Sequence, residues 1–172
     1  RVLEHLDHAG VGVDLDFADV AAVRPARALD RTGRVDGDAP ARLPAGTAAR
    51  LRRLAEAYSL LGLSAQAEKT YRNALGLAPR DFGLRYDLAG LYYGTGRYPE
   101  ALAEMLEAKR SAKTLTSYEL SDYHFGLGLL RLDGFQQRGK ALYHFQKALE
   151  TNPAHREAKR IRELVAEISA DG

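Results

Sequence analysis

The chain repeats a pattern of residues every 34 positions, and this interval restricts the folds that it can adopt. The first matching sets are Leu54, Ala55, Tyr58 and Leu88, Ala89, Tyr92. The second sets, at the same offset, are Ala67, Tyr71, Ala74 and Ala101, Met105, Ala108. A third copy, with three extra residues between its halves, reads Phe125, Gly126, Leu129 and then Ala141, Phe145, Ala148. A period of this length, built from two helical patterns, indicates helix pairs stacked into an array.

Each half of the repeat has the pattern of an amphipathic helix. The apolar stripe of the first half consists of Leu51, Leu54, Tyr58 and Leu61. These residues follow helical spacing and therefore share one face. Gly62 and Gly96 come where first helices should end, and glycine is the favoured residue for a left-handed helix cap. Thr116 and Glu119 have the spacing of a capping box, which predicts a helix start at the third repeat.

One more helix is predicted after Pro153, roughly from Ala154 to Ser169. Its apolar stripe consists of Ala158, Ile161, Val165 and Ile168. Charged residues surround this stripe on the other faces. An array of repeats needs a polar-backed helix to cover its last apolar surface, so we interpret this helix as a cap.

The first 47 residues do not follow the repeat, and two interpretations of them stay open. Val11, Val13, Leu15 and Phe17 alternate with polar residues or glycine, as in a strand. The spacing of Phe17, Val20 and Val23 also fits one side of a helix, which Pro25 would end or kink. Residues 33–46 are rich in Gly, Pro, Asp and Ala and are predicted to form a linker.

Composition and motifs argue against catalysis and against nucleic acid and membrane partners. Basic and acidic residues number 25 and 23, a net charge of +2, with no basic stripe for a phosphate backbone. No apolar run reaches the roughly 18 residues of a membrane helix. The sequence contains no cysteine, no glycine-rich phosphate loop and no serine-nucleophile motif. His5 and His8 could supply two metal ligands, but such a pair in a polar segment is a weak signal. We therefore predict no catalytic, cofactor-binding or metal-binding residues and do not expect an enzyme.

Residues 48–153 resemble three consecutive tetratricopeptide repeats (TPRs). In that family a large–small–aromatic pattern on the first helix precedes alanine, aromatic, alanine and proline on the second. The resemblance separates an N-terminal segment, 1–47, from a repeat domain, 48–172. Its subdivisions are repeats at 48–81, 82–115 and 119–153 and a capping helix at 154–169. The implied fold is all-α: a right-handed superhelix of helix pairs with a C-terminal capping helix and a less regular N-terminal segment.

The resemblance also implies a concave groove, lined by the first helices, in which a partner protein binds. The groove residues predicted on the first helices are Arg52, Glu56, Tyr86, Tyr93, Tyr123 and Leu127, with Ser59, Gly90 and Leu130 beside them. Tyrosine suits this role because it offers apolar area and a hydroxyl group with few rotatable bonds. The alternative that these tyrosines pack against neighbouring helices stays open at this point.

The expected function is that of a scaffold or adaptor that binds a peptide or a helix of a partner protein. One TPR subtype binds the C-terminal carboxylates of heat-shock chaperones through Lys, Asn and Arg residues. Glu56 and Asp87 occupy Asn positions of that subtype and would repel a carboxylate, so we do not expect this partner. The alternative function is a C-terminal TPR module of a larger enzyme or cofactor-bearing protein whose catalytic part lies upstream. Self-association stays open, while stacking of single-stranded nucleic acid on the tyrosines lacks a supporting basic surface.

Overall fold

The computed structural model describes residues 46–170, and these residues form seven α-helices. The helices are α1 Thr47–Leu60, α2 Ser64–Leu77, α3 Phe82–Gly94, α4 Tyr98–Ser111, α5 Ser117–Leu129, α6 Arg138–Thr151 and α7 Ala158–Ala170. A π-helical turn, Leu130–Gly134, continues α5. The strand, helix and linker interpretations of the N-terminal segment fall outside the described residues.

The helices associate in consecutive pairs, α1 with α2, α3 with α4 and α5 with α6, and α7 packs against α6. Alanine permits the two helices of a pair to approach closely, because its side chain is a single methyl group. The alanines at these close approaches are fully buried: Ala55, Ala67, Ala74, Ala101, Ala108, Ala141 and Ala148. The predicted array of three helix pairs followed by a capping helix is confirmed.

Local interactions define several helix ends. Gly62 and Gly96 both have a φ angle of +74°, the left-handed conformation predicted for their caps. Thr116 Oγ1 accepts a hydrogen bond from the Glu119 N–H at 3.2 Å, and the Glu119 carboxylate accepts one from the Thr116 N–H at 2.8 Å. The predicted capping box is therefore formed. A cap that we did not predict occurs at α3, where Asp81 Oδ1 accepts a hydrogen bond from the Leu84 N–H at 3.0 Å.

The capping helix begins at Ala158, four residues later than predicted, because the preceding segment is held by a buried histidine. His155 Nδ1 accepts a hydrogen bond from the Glu157 N–H at 3.0 Å. His155 Nε2 therefore carries the proton of the 2.8 Å hydrogen bond to Asp122 Oδ1 on α5. This contact attaches the start of the capping helix to the first helix of the third repeat.

The phase of the third helix pair, meaning which side of α5 faces α6, differs from the alignment of repeats at the position of its glycine, although Phe125 packs with Phe145 as the alignment predicts. The alignment matches Gly126 with Ala55 and Ala89, small residues at a close approach of paired helices, but it is Gly128 that lies against Phe145 of α6. A Cβ atom built on Gly128 would lie 2.4 Å from Phe145 Cε1. The corresponding atom on Gly126 would face the second repeat, 2.8 Å from Met105 Cε and 3.3 Å from Tyr86 Cε2. The predicted position of Gly126 inside the third helix pair is therefore wrong.

The connection between α5 and α6 explains part of this difference. The predicted loop, 133–139, is shorter in the structure, because the π-helical turn extends through Asp133 and Gly134. Gly134 is required there, since a Cβ atom on it would lie 2.7 Å from Tyr98 Cγ. A π-helical turn contains more residues than an α-helical turn, so it rotates the residues on either side of it relative to each other. Spacing counted along the sequence cannot detect this rotation.

Candidate partner-binding groove

The first helices of the second and third repeats, α3 and α5, border a small cavity. Its volume is about 80 Å³, and most of its wall is apolar. The lining residues are Tyr86, Ala89, Gly90, Tyr93, Met105, Gly126, Leu129 and Leu130. Tyr86, Gly90 and Tyr93 belong to the predicted groove set, and the structure brings them together on the α3 wall.

Two glycines give the cavity its shape. Gly90 is exposed, and a Cβ atom built on it would meet no other atom within 4 Å. Gly126 on the opposite wall is crowded, because its Cβ atom would approach Met105 Cε to 2.8 Å. The cavity is therefore open beside Gly90 and closed beside Gly126.

Tyr86 is held in place by contacts along α3 and with α5. Its ring stacks on that of Phe82, with the ring centroids 5.8 Å apart. Burial raises the pKa of the Tyr86 hydroxyl, and the negative charge of Asp122 raises it further. The hydroxyl therefore stays protonated at neutral pH and can donate a hydrogen bond.

Tyr93 is positioned by the π-helical turn. Its hydroxyl donates a hydrogen bond to Asp133 Oδ2, and its ring meets the edge of the Tyr98 ring at a centroid distance of 5.8 Å. Burial raises the pKa of Tyr93, and the hydrogen bond to the Asp133 carboxylate adds to this effect. Asp133 is thus a positioning residue for the groove, and nothing in the repeat pattern identified it.

The charged residues predicted at the first-repeat end of the groove form an ion-pair network. Arg52 Nε lies 2.5 Å from Asp87 Oδ2 on α3 and 3.5 Å from Glu56 Oε1. Burial raises the pKa of the Asp87 carboxyl, and its contacts with Arg52 oppose that rise. The guanidinium charge of Arg52 is therefore already compensated within the protein, and the exposed carboxylate of Glu56 stands beside it.

Two predicted groove residues, Tyr123 and Leu127, lie in the core. Their exposed fractions are 5% and 3%, and the neighbouring candidate Leu130 is 2% exposed. Lys109 Nζ lies 5.0 Å from the centroid of the Tyr123 ring and covers it. The expectation that these residues lie off the packing surface is wrong, because both belong to the apolar core that includes Leu88 and Met105 of the second repeat.

The α5 wall of the cavity is instead formed by Gly126, Leu129 and Leu130. The alignment had assigned Gly126 and Leu129 to packing within the third helix pair. Leu129 also packs against the core of the third pair, as the alignment predicted, so only the position of Gly126 is misassigned.

Within residues 46–170 no three His, Asp or Glu side chains are grouped so that they could hold a metal ion. The same part of the chain has no helix long and apolar enough to cross a membrane. The predicted histidine pair of the N-terminal segment, His5 and His8, lies outside the described residues.

Comparison with known proteins agrees with the helix pairs. A family model of the tetratricopeptide repeat matches residues 62–114. Among curated proteins no sequence match was found. Several solved structures resemble the chain, all at low sequence identity, so that they show the fold alone.

One such structure is the first TPR domain of Spaghetti (RPAP3) bound to an HSP90 peptide, SRMEEVD. It has a TM-score of 0.61 and 20% identity, over 74% of this chain and 94% of that one. The first TPR domain of human RPAP3 has a TM-score of 0.58 and 18% identity, over 74% of this chain and 98% of that one. MamA from Desulfovibrio magneticus RS-1 has a TM-score of 0.53 and 20% identity, over 76% of this chain and 78% of that one.

The repeat period, the paired helices with alanine at their close approaches, the capping helix and the family match all indicate one family. The chain carries tetratricopeptide repeats, and the family model matches them over residues 62–114.

Proposed function

We propose that this protein is an interaction module that binds an extended peptide or a helix of a partner protein in the groove between α3 and α5. The observation that carries the proposal is the apolar cavity open beside Gly90. An apolar side chain of the partner would enter this cavity, and the rest of the partner would lie along the first helices. Similarity to TPR domains, one of them solved with a bound peptide, supports the same mode of action.

The physical properties of the cavity favour this kind of ligand. Its volume of about 80 Å³ offers room for one aliphatic side chain rather than for a cofactor. The tyrosine rings on its α3 wall are already held by Phe82 and Asp133. A partner would therefore not need to immobilise them, which lowers the entropic cost of binding.

The first-repeat end of the groove argues against a partner that ends in a free carboxylate. The only predicted cation there, Arg52, is paired with Asp87, and Glu56 adds a negative charge. A carboxylate would have to displace Asp87 from Arg52 and approach two acidic residues. We therefore propose that this protein does not share the peptide specificity of the neighbour that binds SRMEEVD.

The proposal can be tested with a matched pair of glycine substitutions and a display library of random peptides as the probe. Gly90→Leu fills the cavity from its open side, whereas Gly76→Leu adds the same side chain to α2, where a Cβ atom also meets nothing within 4 Å. Peptides selected on the unaltered chain should lose binding to Gly90→Leu and keep binding to Gly76→Leu. Equal retention by both variants would show that the cavity is not the binding site.

Tyrosine truncation provides a second test on the same peptides. Tyr86→Ala and Tyr93→Ala should each weaken binding by about 1–2 kcal/mol, as expected for aromatic residues at the centre of an interface. Tyr143→Ala on α6 is the control, because its side chain is 54% exposed on a second helix. Calorimetry gives the affinities, and circular dichroism shows whether each variant keeps its helices. Folded variants with unchanged affinity would place the partner elsewhere on the protein.

A further inference from the structure

A second group of side chains lies where α4, α5 and α6 meet, and none of its members lines the cavity of the groove. We call this group the histidine cluster; its members are Lys109, His124, Arg131 and His144. The Nδ1 atoms of His124 and His144 are 3.1 Å apart. This hydrogen bond requires one ring to donate and the other to accept. The histidine pair can therefore take up only one extra proton, because with a second one both Nδ1 atoms would carry hydrogen and repel each other.

Positive charge surrounds this histidine pair. Burial lowers the pKa of His144 to about 4, and the charges of His124, Arg131 and Lys109 add to the decrease. Burial also lowers the pKa of His124, with further contributions from Lys109 and from Lys147.

The remaining groups facing the pair offer little opposing charge. Tyr123 on α5 and Tyr143 on α6 contact the two rings edge-on. Among residues 46–170, the acidic group that acts on the pair is Glu150, whose carboxylate pairs with Lys147 Nζ at 2.6 Å. The cluster therefore carries an excess of positive charge.

The cluster also contains hydrogen-bond donors without acceptors. Arg131 Nη1 donates to Gln137 Oε1 at 3.1 Å, but Arg131 Nε is buried without a partner. It is the single buried side-chain nitrogen or oxygen in this situation within residues 46–170. Lys109 covers the Tyr123 ring and forms no ion pair with any residue of that range. A metal ion would be repelled by these cations, whereas an oxyanion would supply both the charge and the acceptors that the cluster lacks.

We propose that the histidine cluster binds a tetrahedral dianion of the phosphate class, either free in solution or as a phosphorylated side chain of a partner protein. The dianion would accept charge-assisted hydrogen bonds from Lys109 and from the protonated histidine pair. Its charge would stabilise the imidazolium form, so binding and protonation of the pair would reinforce each other. This site is independent of the groove between α3 and α5.

Sulfate is a suitable first probe, because it stays dianionic throughout the pH range in which histidine titrates. We would titrate the full chain with sulfate at constant ionic strength and record the imidazole signals by nuclear magnetic resonance. The signals of His124 and His144 should shift and saturate, with tighter binding at pH 5.5 than at pH 7.5. The buried His155 serves as an internal reference. Absence of a saturable shift, or a shift shared by His155, would overturn the proposal.

Lys109→Gln tests the site without altering His124 and His144, which are half-buried. It should weaken sulfate binding about five-fold, the effect of one close charge contact near water. Lys159→Gln on α7 is the matched control, because Lys159 is 92% exposed and outside the cluster. Equal weakening by both variants would mean that sulfate responds only to net charge, which would contradict the proposed site.

The source of the dianion can be separated with two further probes, inorganic phosphate and a short peptide containing phosphoserine. Tighter binding of the peptide would identify a phosphorylated partner, and equal binding would identify free phosphate. Either result supports the site. Binding of acetate as strong as that of phosphate would overturn the assignment to a tetrahedral dianion.

Discussion

Two glycine-to-alanine substitutions can test the phase of the third repeat. Gly90 lies within α3 and Gly128 within α5, so alanine should raise the helix propensity by about 1 kcal/mol at each site. The surroundings differ. A Cβ atom at Gly90 meets nothing within 4 Å, whereas at Gly128 it would lie 2.4 and 2.5 Å from two ring carbons of Phe145. Phe145 has no exposed surface, so its ring has no free space into which to move.

The expected magnitudes follow from these contacts. Gly90→Ala should increase the free energy of unfolding by about 0.5–1 kcal/mol. At Gly128 the same gain is offset by overpacking, which costs about 1–3 kcal/mol in a well-packed core. The propensity gain is common to both sites and cancels in the comparison. Gly90→Ala should therefore exceed Gly128→Ala in stability by about 1–3 kcal/mol.

Urea unfolding followed by circular dichroism measures this difference, provided that both variants unfold with the same dependence on urea. Gly126→Ala is an informative third variant. Its Cβ atom would approach the end of the flexible Met105 side chain, which can move more easily than a ring. We therefore expect Gly126→Ala to be more stable than Gly128→Ala. If Gly126→Ala is instead the least stable of the three, Gly126 faces Phe145 and the phase deduced from the structure is wrong.

Three further predictions concern pH, a helix cap and the domain boundary. The pKa of His144, about 4 in the folded chain, lies below its unfolded value, so stability should fall between pH 6.5 and 4. Solvent screens this half-buried ring, so we expect a loss of about 1–2 kcal/mol, less than the full shift would give. In His144→Gln, thermal unfolding should show a smaller loss over this range. Asp81→Ala should lower the free energy of unfolding, measured in urea, by about 1 kcal/mol, because α3 loses its cap. A variant as stable as the unaltered chain would show that Asp81 does not stabilise α3. Deletion of residues 1–40 should leave a soluble, helical, cooperatively unfolding domain; an insoluble product would refute the proposed boundary near residue 47.

The number, pairing and caps of the helices could be predicted because they depend on neighbours in sequence. The capping box of Thr116 and Glu119 joins residues three positions apart, and the left-handed caps at Gly62 and Gly96 need only glycine at the end of a helix. The α3 wall was predicted from the positions that lie off the stripe containing Leu88 and Tyr92, and Tyr86, Gly90 and Tyr93 line one cavity. Whether that wall binds a partner stays a prediction.

The core that each apolar residue of α5 joins could not be predicted, because these residues lie on two different sides of the helix. Alternating positions 123, 125, 127 and 129 hold Tyr, Phe, Leu and Leu, so no single stripe defines the side that faces α6. The tertiary structure decides it: Phe125 and Leu129 pack with α6, whereas Tyr123 and Leu127 join the core of the second repeat. Contacts between distant parts of the chain, such as Tyr93 with Asp133 and His124 with His144, follow from it. They depend on how helices interlock in space, and no spacing along the chain records that arrangement.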